Sequence, residues 1–313
     1  MLPRLPPRHA DAMTMHAIAA TTRALPVVHH RTTVLDGVEV FYRESGPADG
    51  PVVLLLHGFP TSSHMFRHLI PLLADRYRVI APDLPGFGQL EAPDRSRFAY
   101  TFQHYAEVVR ALLDRLGVAS FALYAFDYGA PVGYRLALLD PARVSALIVQ
   151  NGNAYEEGLA AFWDPIKEYW ADGSEEHRRA IAWLPEEDSI IWQYTNGVRD
   201  VSRISPDNVP HDLALMRRPG NIDIQLDLFL DYGTNVPLYP RFQAFFREHR
   251  PPTLIVWGRN DEIFPPSGAE PYLRDLPDAE YHLLDSGHFL LEDQLDVVAP
   301  LVHDFLDRTI GRP

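Results

Sequence analysis

The strongest constraint on how this chain can fold is an alternation. Short apolar runs at Val52–His57, Arg78–Pro82, Phe121–Phe126, Ala146–Gln150, Thr253–Gly258 and Ala279–Leu284 are separated by stretches with helical spacing. Strands buried on both faces read as continuous apolar runs, and helices between them act as crossovers of a parallel sheet. The pattern predicts an α/β fold: a mostly parallel, twisted sheet with helices on both faces. Val38–Glu44 alternates apolar and polar residues, as an edge hairpin strand would. Phe66–Ala74 and Thr101–Leu116 have helical spacing, Thr101 being a plausible N-cap, and a closing helix is expected over Leu291–Ile310.

Between Asn151 and Pro251 the rhythm breaks. The segment is rich in aromatic residues, among them Trp163, Tyr169, Trp170, Trp183, Trp192, Tyr194 and Phe229, and no strand fits it. A long helical insertion after a mid-sheet strand reads as a lid over the carboxyl ends of the strands, where open α/β sheets place their ligands. The expected organisation is a disordered tail over residues 1–26, a core of residues 27–150 and 251–313, and a helical cap over 151–250.

Composition narrows the function classes. The formal net charge is −14, from 42 acidic and 28 basic residues. Such a surface repels phosphate backbones and anionic lipid, so neither nucleic acid nor membrane is an expected partner. There is no cysteine, which removes disulfides, thiolate catalysis and cysteine-ligated zinc. No stretch approaches the roughly 20 apolar residues of a membrane span. A cytoplasmic monomer or homodimer is expected, with no metal and no organic cofactor.

Chemistry is concentrated at the ends of the apolar runs. Ala125-Phe126-Asp127-Tyr128-Gly129 joins a strand to a helix and has small residues two positions either side of Asp127. That is the form of a tight turn that lifts one side chain into a pocket, a place usually held by serine. An aspartate before a helix is also a common N-cap. Three further features favour the chemical reading. His57-Gly58-Phe59-Pro60 ends a strand, and the Phe59 amide with that of Tyr128 can form an oxyanion hole. His57 itself reads as a structural residue that bonds loop backbone. Trp257-Gly258-Arg259-Asn260-Asp261 offers Asp261 to orient an imidazole. Asp285-Ser286-Gly287-His288-Phe289 offers that imidazole. The order nucleophile, acid, histidine is the chain order of one known fold.

From about Val38 to Leu306 the chain resembles the α/β-hydrolase fold. His57–Phe59, Ala125–Gly129, Asp261 and His288 resemble its branch with an aspartate nucleophile, which contains epoxide hydrolases, haloalkane dehalogenases and haloacetate dehalogenases. The runs His57-Gly58-Phe59-Pro60-Thr61-Ser62-Ser63 and Ala81-Pro82-Asp83-Leu84-Pro85-Gly86-Phe87-Gly88 are especially similar. The resemblance implies Asp127 as nucleophile, His288 as base and Asp261 as its orienter. A carboxylate suits displacement at a saturated carbon, giving an alkyl ester that His288-activated water then cleaves.

The leaving group is the open question at this level. The Asn and Trp halide donors of haloalkane dehalogenases are replaced by Phe59 and Tyr128. The two arginines of fluoroacetate dehalogenases are replaced by Tyr128 and Pro131. An epoxide needs phenol donors, and Tyr155, Tyr169, Tyr194, Tyr232 and Tyr239 lie in the insertion. Asp231-Tyr232-Gly233-Thr234-Asn235 loosely resembles the second-tyrosine motif of epoxide hydrolases, with Tyr155 or Tyr169 as partner. Phe126 stands where the branch has His, and Tyr128 where it often has Trp, so Tyr128 is itself a candidate donor. Phe126 and Phe289, flanking Asp127 and His288 in sequence, are further candidate substrate contacts. The expectation is an epoxide hydrolase taking a small apolar substrate and water. The alternatives are a haloalkane or haloacid dehalogenase and a non-catalytic small-molecule binder on the same fold.

Overall fold

The apolar runs become the centre of one eight-stranded sheet in the order β1-β2-β4-β3-β5-β6-β7-β8. The strands are β1 His29–Leu35, β2 Val38–Ser45, β3 Val52–Leu56, β4 Arg78–Pro82, β5 Phe121–Phe126, β6 Val144–Gln150, β7 Thr253–Gly258 and β8 Glu280–Leu284. This computed structural model describes residues 26–311. The tail expected over residues 1–26 lies outside the described residues apart from Pro26. Pairing is parallel from β4 through β8 and antiparallel at β1/β2 and β2/β4.

Strand β1 has no apolar run to announce it. It is almost wholly exposed and pairs with β2 through a two-residue Asp36-Gly37 turn, both residues at positive φ. That is the turn whose twist matches a hairpin. The helices expected over Phe66–Ala74 and Leu291–Ile310 are each divided. The first is a 3₁₀ turn at Ser63–Phe66 and a short helix at Leu69–Leu73. The second breaks at Gln294 into Leu290–Asp293 and Leu295–Thr309. There the Asp293 carboxylate accepts from the Ser286 hydroxyl at 2.7 Å, tying the break to the loop after β8. Phe102–Arg115 forms as expected, with the Thr101 hydroxyl capping the His104 amide.

Side chains along the strands alternate between two buried clusters, one on each sheet face. Leu54, Leu56, Leu123, Ala125, Val149 and Trp257 face one side. Val53, Leu55, Tyr124, Phe126, Ile148 and Val256 face the other. Among the described residues of 151–250 there is no strand. Helix Asn221–Tyr232 reaches across the strand ends: its Phe229 ring lies 5.1 Å from Phe59 and its Tyr232 ring 5.8 Å from Tyr128. Helix Tyr239–His249 instead lies alongside helix Gly129–Leu139, with Phe242 and Phe246 against Tyr134 at 5.5 and 5.2 Å.

Candidate active site

Asp127 follows β5 at φ 47°, a left-handed conformation that few side chains adopt. Backbone strain of this kind persists only where packing over-determines it. Here the packing is tight enough. A Cβ on Gly129 would overlap the Leu56 carbonyl at the end of β3, and a Cβ on Gly58 would overlap the Asp127 carboxylate. The small residues around Asp127 are therefore demanded by two strand ends meeting.

Asp127 is 4% exposed. Its Oδ1 accepts the Phe59 amide at 2.7 Å, and the nearby Tyr128 amide also favours the charged carboxylate. Its Oδ2 lies 3.7 Å from His288 Nε2, too long for a direct hydrogen bond. Burial pushes its carboxyl up to about 6, against the pull of His288 and of the two amides, with Asp261 adding a little to the rise.

His288 Nδ1 lies 2.8 Å from Asp261 Oδ2. An ionised carboxylate can only accept, so Nδ1 carries the proton and the Nε2 lone pair faces Asp127. Nε2 is buried and has no partner. Burial works to lower the imidazole, but the charge and hydrogen bond of Asp261, helped by Asp127, raise it overall. The contact depends on two loops touching: a Cβ on Gly258 would overlap the Gly287 carbonyl. Asp261 is fully engaged, its Oδ1 taking the Ile263 amide at 2.8 Å and its Oδ2 the Asn151 side-chain amide at 2.7 Å.

The aromatic surround is assembled from distant segments. Phe126 and Phe289 flank the His288 ring at 4.8 and 5.0 Å. Tyr128 and Tyr232 bring two buried hydroxyls that have no well-formed hydrogen bond. Burial holds both phenols well above their usual range, and the Asp127 charge adds to this, so both remain proton donors. His57 is neutral through burial; its Nδ1 donates to the Gly58 carbonyl and its Nε2 accepts the Leu84 amide, each at 3.0 Å. It ties two loops together, as its sequence setting suggests.

Two expected substrate contacts have polar partners of their own. The Tyr155 hydroxyl donates to Asp275 at 2.7 Å, and its ring packs on Tyr272. The Tyr169 hydroxyl accepts from Arg178, which is itself paired with Asp223 and Asp227. Sequence reading also passed over residues that matter here. Asn151, at φ 42° just after β6, accepts the Asp127 amide on its carbonyl and the Gly258 amide on its side chain, both at 3.3 Å. Trp163 donates to the Ile263 carbonyl and stacks on Tyr232 at 4.5 Å and Phe264 at 5.2 Å. Only the glycine after Asn151 hinted at a turn there; nothing local marks Trp163. Among the described residues, no group of His, Asp or Glu is disposed to hold a metal ion, and no helix is long and apolar enough to cross a membrane.

Residues 51–295 match the alpha/beta hydrolase fold family. An uncharacterized hydrolase of Saccharomyces cerevisiae is 48% identical, covering 86% of this chain and 94% of its own. A cis-3-alkyl-4-alkyloxetan-2-one decarboxylase of Xanthomonas campestris is 30% identical, covering 89% and 95%. In structure, a haloalkane dehalogenase loop variant of Bradyrhizobium elkanii superposes with a TM-score of 0.74 at 24% identity, over 92% of this chain and 99% of that one. An epoxide hydrolase of Vigna radiata does so with a TM-score of 0.71 at 24% identity, over 90% and 98%. With its strand order, its strained turn after β5 and this match over most of its length, the chain belongs to the α/β-hydrolase family.

Proposed function

We propose that this protein is a hydrolase that works through an alkyl ester on Asp127 and opens an epoxide to a vicinal diol, with helices of residues 151–250 forming a cap over the site. One observation carries the reading: two buried phenols with no well-formed hydrogen bond, Tyr128 and Tyr232, stand beside a carboxylate held by the Phe59 amide. Asp127 Oδ2, the oxygen not held by Phe59, attacks a ring carbon. The carbon–oxygen bond breaks, and the departing oxygen takes a proton from a phenol. His288 Nε2 then removes a proton from water, which adds to the ester carbonyl carbon. The Phe59 and Tyr128 amides hold the resulting negative Oδ1. Collapse expels the diol oxygen, which takes the proton from His288. The proton released as Asp127 re-ionises returns to the phenolate. A departing halide would need a fixed donor of its own, and the residues at the two usual positions are Phe59 and Tyr128.

The Xanthomonas campestris relative favours a second reading. An oxetan-2-one is also a strained ring that leaves through oxygen. Attack by Asp127 at its alkoxy carbon would give an ester bearing a free carboxylate. Loss of carbon dioxide would then expel Asp127 and form an alkene, with no water consumed.

The test is intact-mass measurement of the His288→Gln variant after exposure to epoxides, haloalkanes and oxetan-2-ones in turn. An adduct on Asp127 equal to the whole epoxide is the expected result. An adduct lacking halogen would replace the reading with dehalogenation. Alkene and carbon dioxide from the oxetanone would replace it with decarboxylation.

A further inference from the structure

Helix Asn221–Tyr232 buries Asn221, Ile224, Gln225, Leu226, Leu228, Phe229 and Tyr232, and Asn221, Gln225, Phe229 and Tyr232 among them follow one another in a stripe along that face. The carboxyl-terminal half of the stripe lies against the nucleophile's neighbours, with Phe229 on Phe59 and Tyr232 on Tyr128. Its amino-terminal half carries two primary amides. Gln225 is completely buried, its Nε2 lies 3.5 Å from the Gly86 carbonyl, and its Oε1 has no partner. Asn221 donates its Nδ2 to the Leu215 carbonyl at 2.8 Å, and its Oδ1 has no partner.

Each amide nitrogen donates to one backbone carbonyl, which sets the side chain's orientation. The atom left with no partner at all is the acceptor oxygen in each case. Buried amide oxygens without donors are destabilising, and two on one stripe call for a ligand group that supplies hydrogen. The Gly86 loop that meets Gln225 also carries Phe87, whose ring lies 6.5 Å from Tyr128 and 5.2 Å from His57. Gln225 thus adjoins the wall around Asp127. The three carboxylates of this helix lie off the stripe: Asp223 and Asp227 are paired with Arg95 and Arg178, and Asp231 accepts the Phe102 amide.

We propose that Gln225 and Asn221 form a polar subsite for an uncharged hydrogen-bond donor, a hydroxyl or amide N–H, at the far end of the substrate. The reactive ring sits at the Tyr128 and Tyr232 end of the same stripe. Gln225 and Tyr232 are seven residues apart, about 10 Å along the helix, which sets the separation of the two groups on the substrate. The assignment rests on the epoxide reading and narrows it to apolar epoxides with a terminal donor.

Epoxyoctane and its terminally hydroxylated analogue are the probes. The hydroxylated compound should be preferred in kcat/KM by about tenfold, the worth of one good hydrogen bond. In Gln225→Leu that ratio should fall towards one, whatever the absolute rates; Gln225→Met serves the same comparison if the leucine variant does not fold. No preference in the unsubstituted enzyme, or a preference that survives both substitutions, overturns the subsite. Asp127 adducts in His288→Gln separate the two levels. Adducts from both epoxides without preference overturn the subsite alone, and no adduct from either overturns it together with the epoxide reading.

Discussion

The side-chain amide of Asn151 donates, at 2.7 Å, to the same oxygen of Asp261 that receives the Nδ1 proton of His288. Asn151 therefore shares the charge that would otherwise face the imidazole alone. Asn151→Gly keeps the left-handed backbone and removes only the side chain. More of the Asp261 charge then faces His288, raising it further above its usual value. Below that value His288 is protonated and cannot activate water, so the acid limb of the kcat profile should move to higher pH. A pH–rate comparison checks this, alongside a loss of about 1–2 kcal/mol of folding stability.

Asp127→Asn should abolish turnover and make the protein more stable at alkaline pH. The folded carboxyl is raised to about 6 from an ordinary 3.8. Its contribution to stability is complete below the unfolded value and is lost as pH rises through the folded one. Near neutrality and above, the native protein holds a buried charge that asparagine lacks. Denaturant titrations at about pH 8 should show a gain of the order of 1–3 kcal/mol, shrinking as pH falls below about 6.

Two steps with different proton demands should separate along the pH axis. Ester formation needs Asp127 ionised and should fail as pH drops through about 6. Ester hydrolysis needs His288 neutral, and His288 is raised above its usual 6.5. Close to pH 6.5 the ester should form faster than it is cleaved. Acid-quenched mass spectra of the unsubstituted enzyme during turnover should show more Asp127 adduct there than at about pH 8. Equal occupancy at both would contradict the assignment of His288 as base.

Tyr128→Phe and Tyr232→Phe should each slow ester formation from an epoxide by roughly 10–100-fold, and the double variant by less than the product. Neither hydroxyl has a hydrogen-bond partner of good geometry within the protein. Removing either should leave folding stability unchanged or raise it by up to about 1 kcal/mol. Thermal unfolding paired with single-turnover kinetics would show the opposed effects. Loss of stability in step with loss of rate would assign these residues to packing.

What the sequence determined by itself was everything governed by local rules. The apolar runs became β3 to β8, because a strand covered on both faces must be largely apolar, and β2 was legible from its alternation. The turn at Asp127 was legible because strand and helix backbones meet closely there, which admits only small neighbours. The order of Asp127, Asp261 and His288 along the chain then led to one arrangement of loops at one end of the sheet. Strand β1 was missed because an exposed edge needs no hydrophobic pattern.

Tertiary structure alone decided which partner each tyrosine hydroxyl meets. In sequence, Tyr232 is marked by its Asp231–Asn235 setting, but nothing there separates Tyr155 from Tyr169 as its partner. The Tyr155 hydroxyl donates to Asp275, far away in the chain, and that of Tyr169 accepts from Arg178, while that of Tyr232 makes no well-formed hydrogen bond beside Tyr128. The same holds for Asn151, whose importance lies in reaching Asp261 from the neighbouring strand end. A hydroxyl or amide is defined by the partner it meets, and partners brought together across a sheet leave no periodic trace in the chain that carries them.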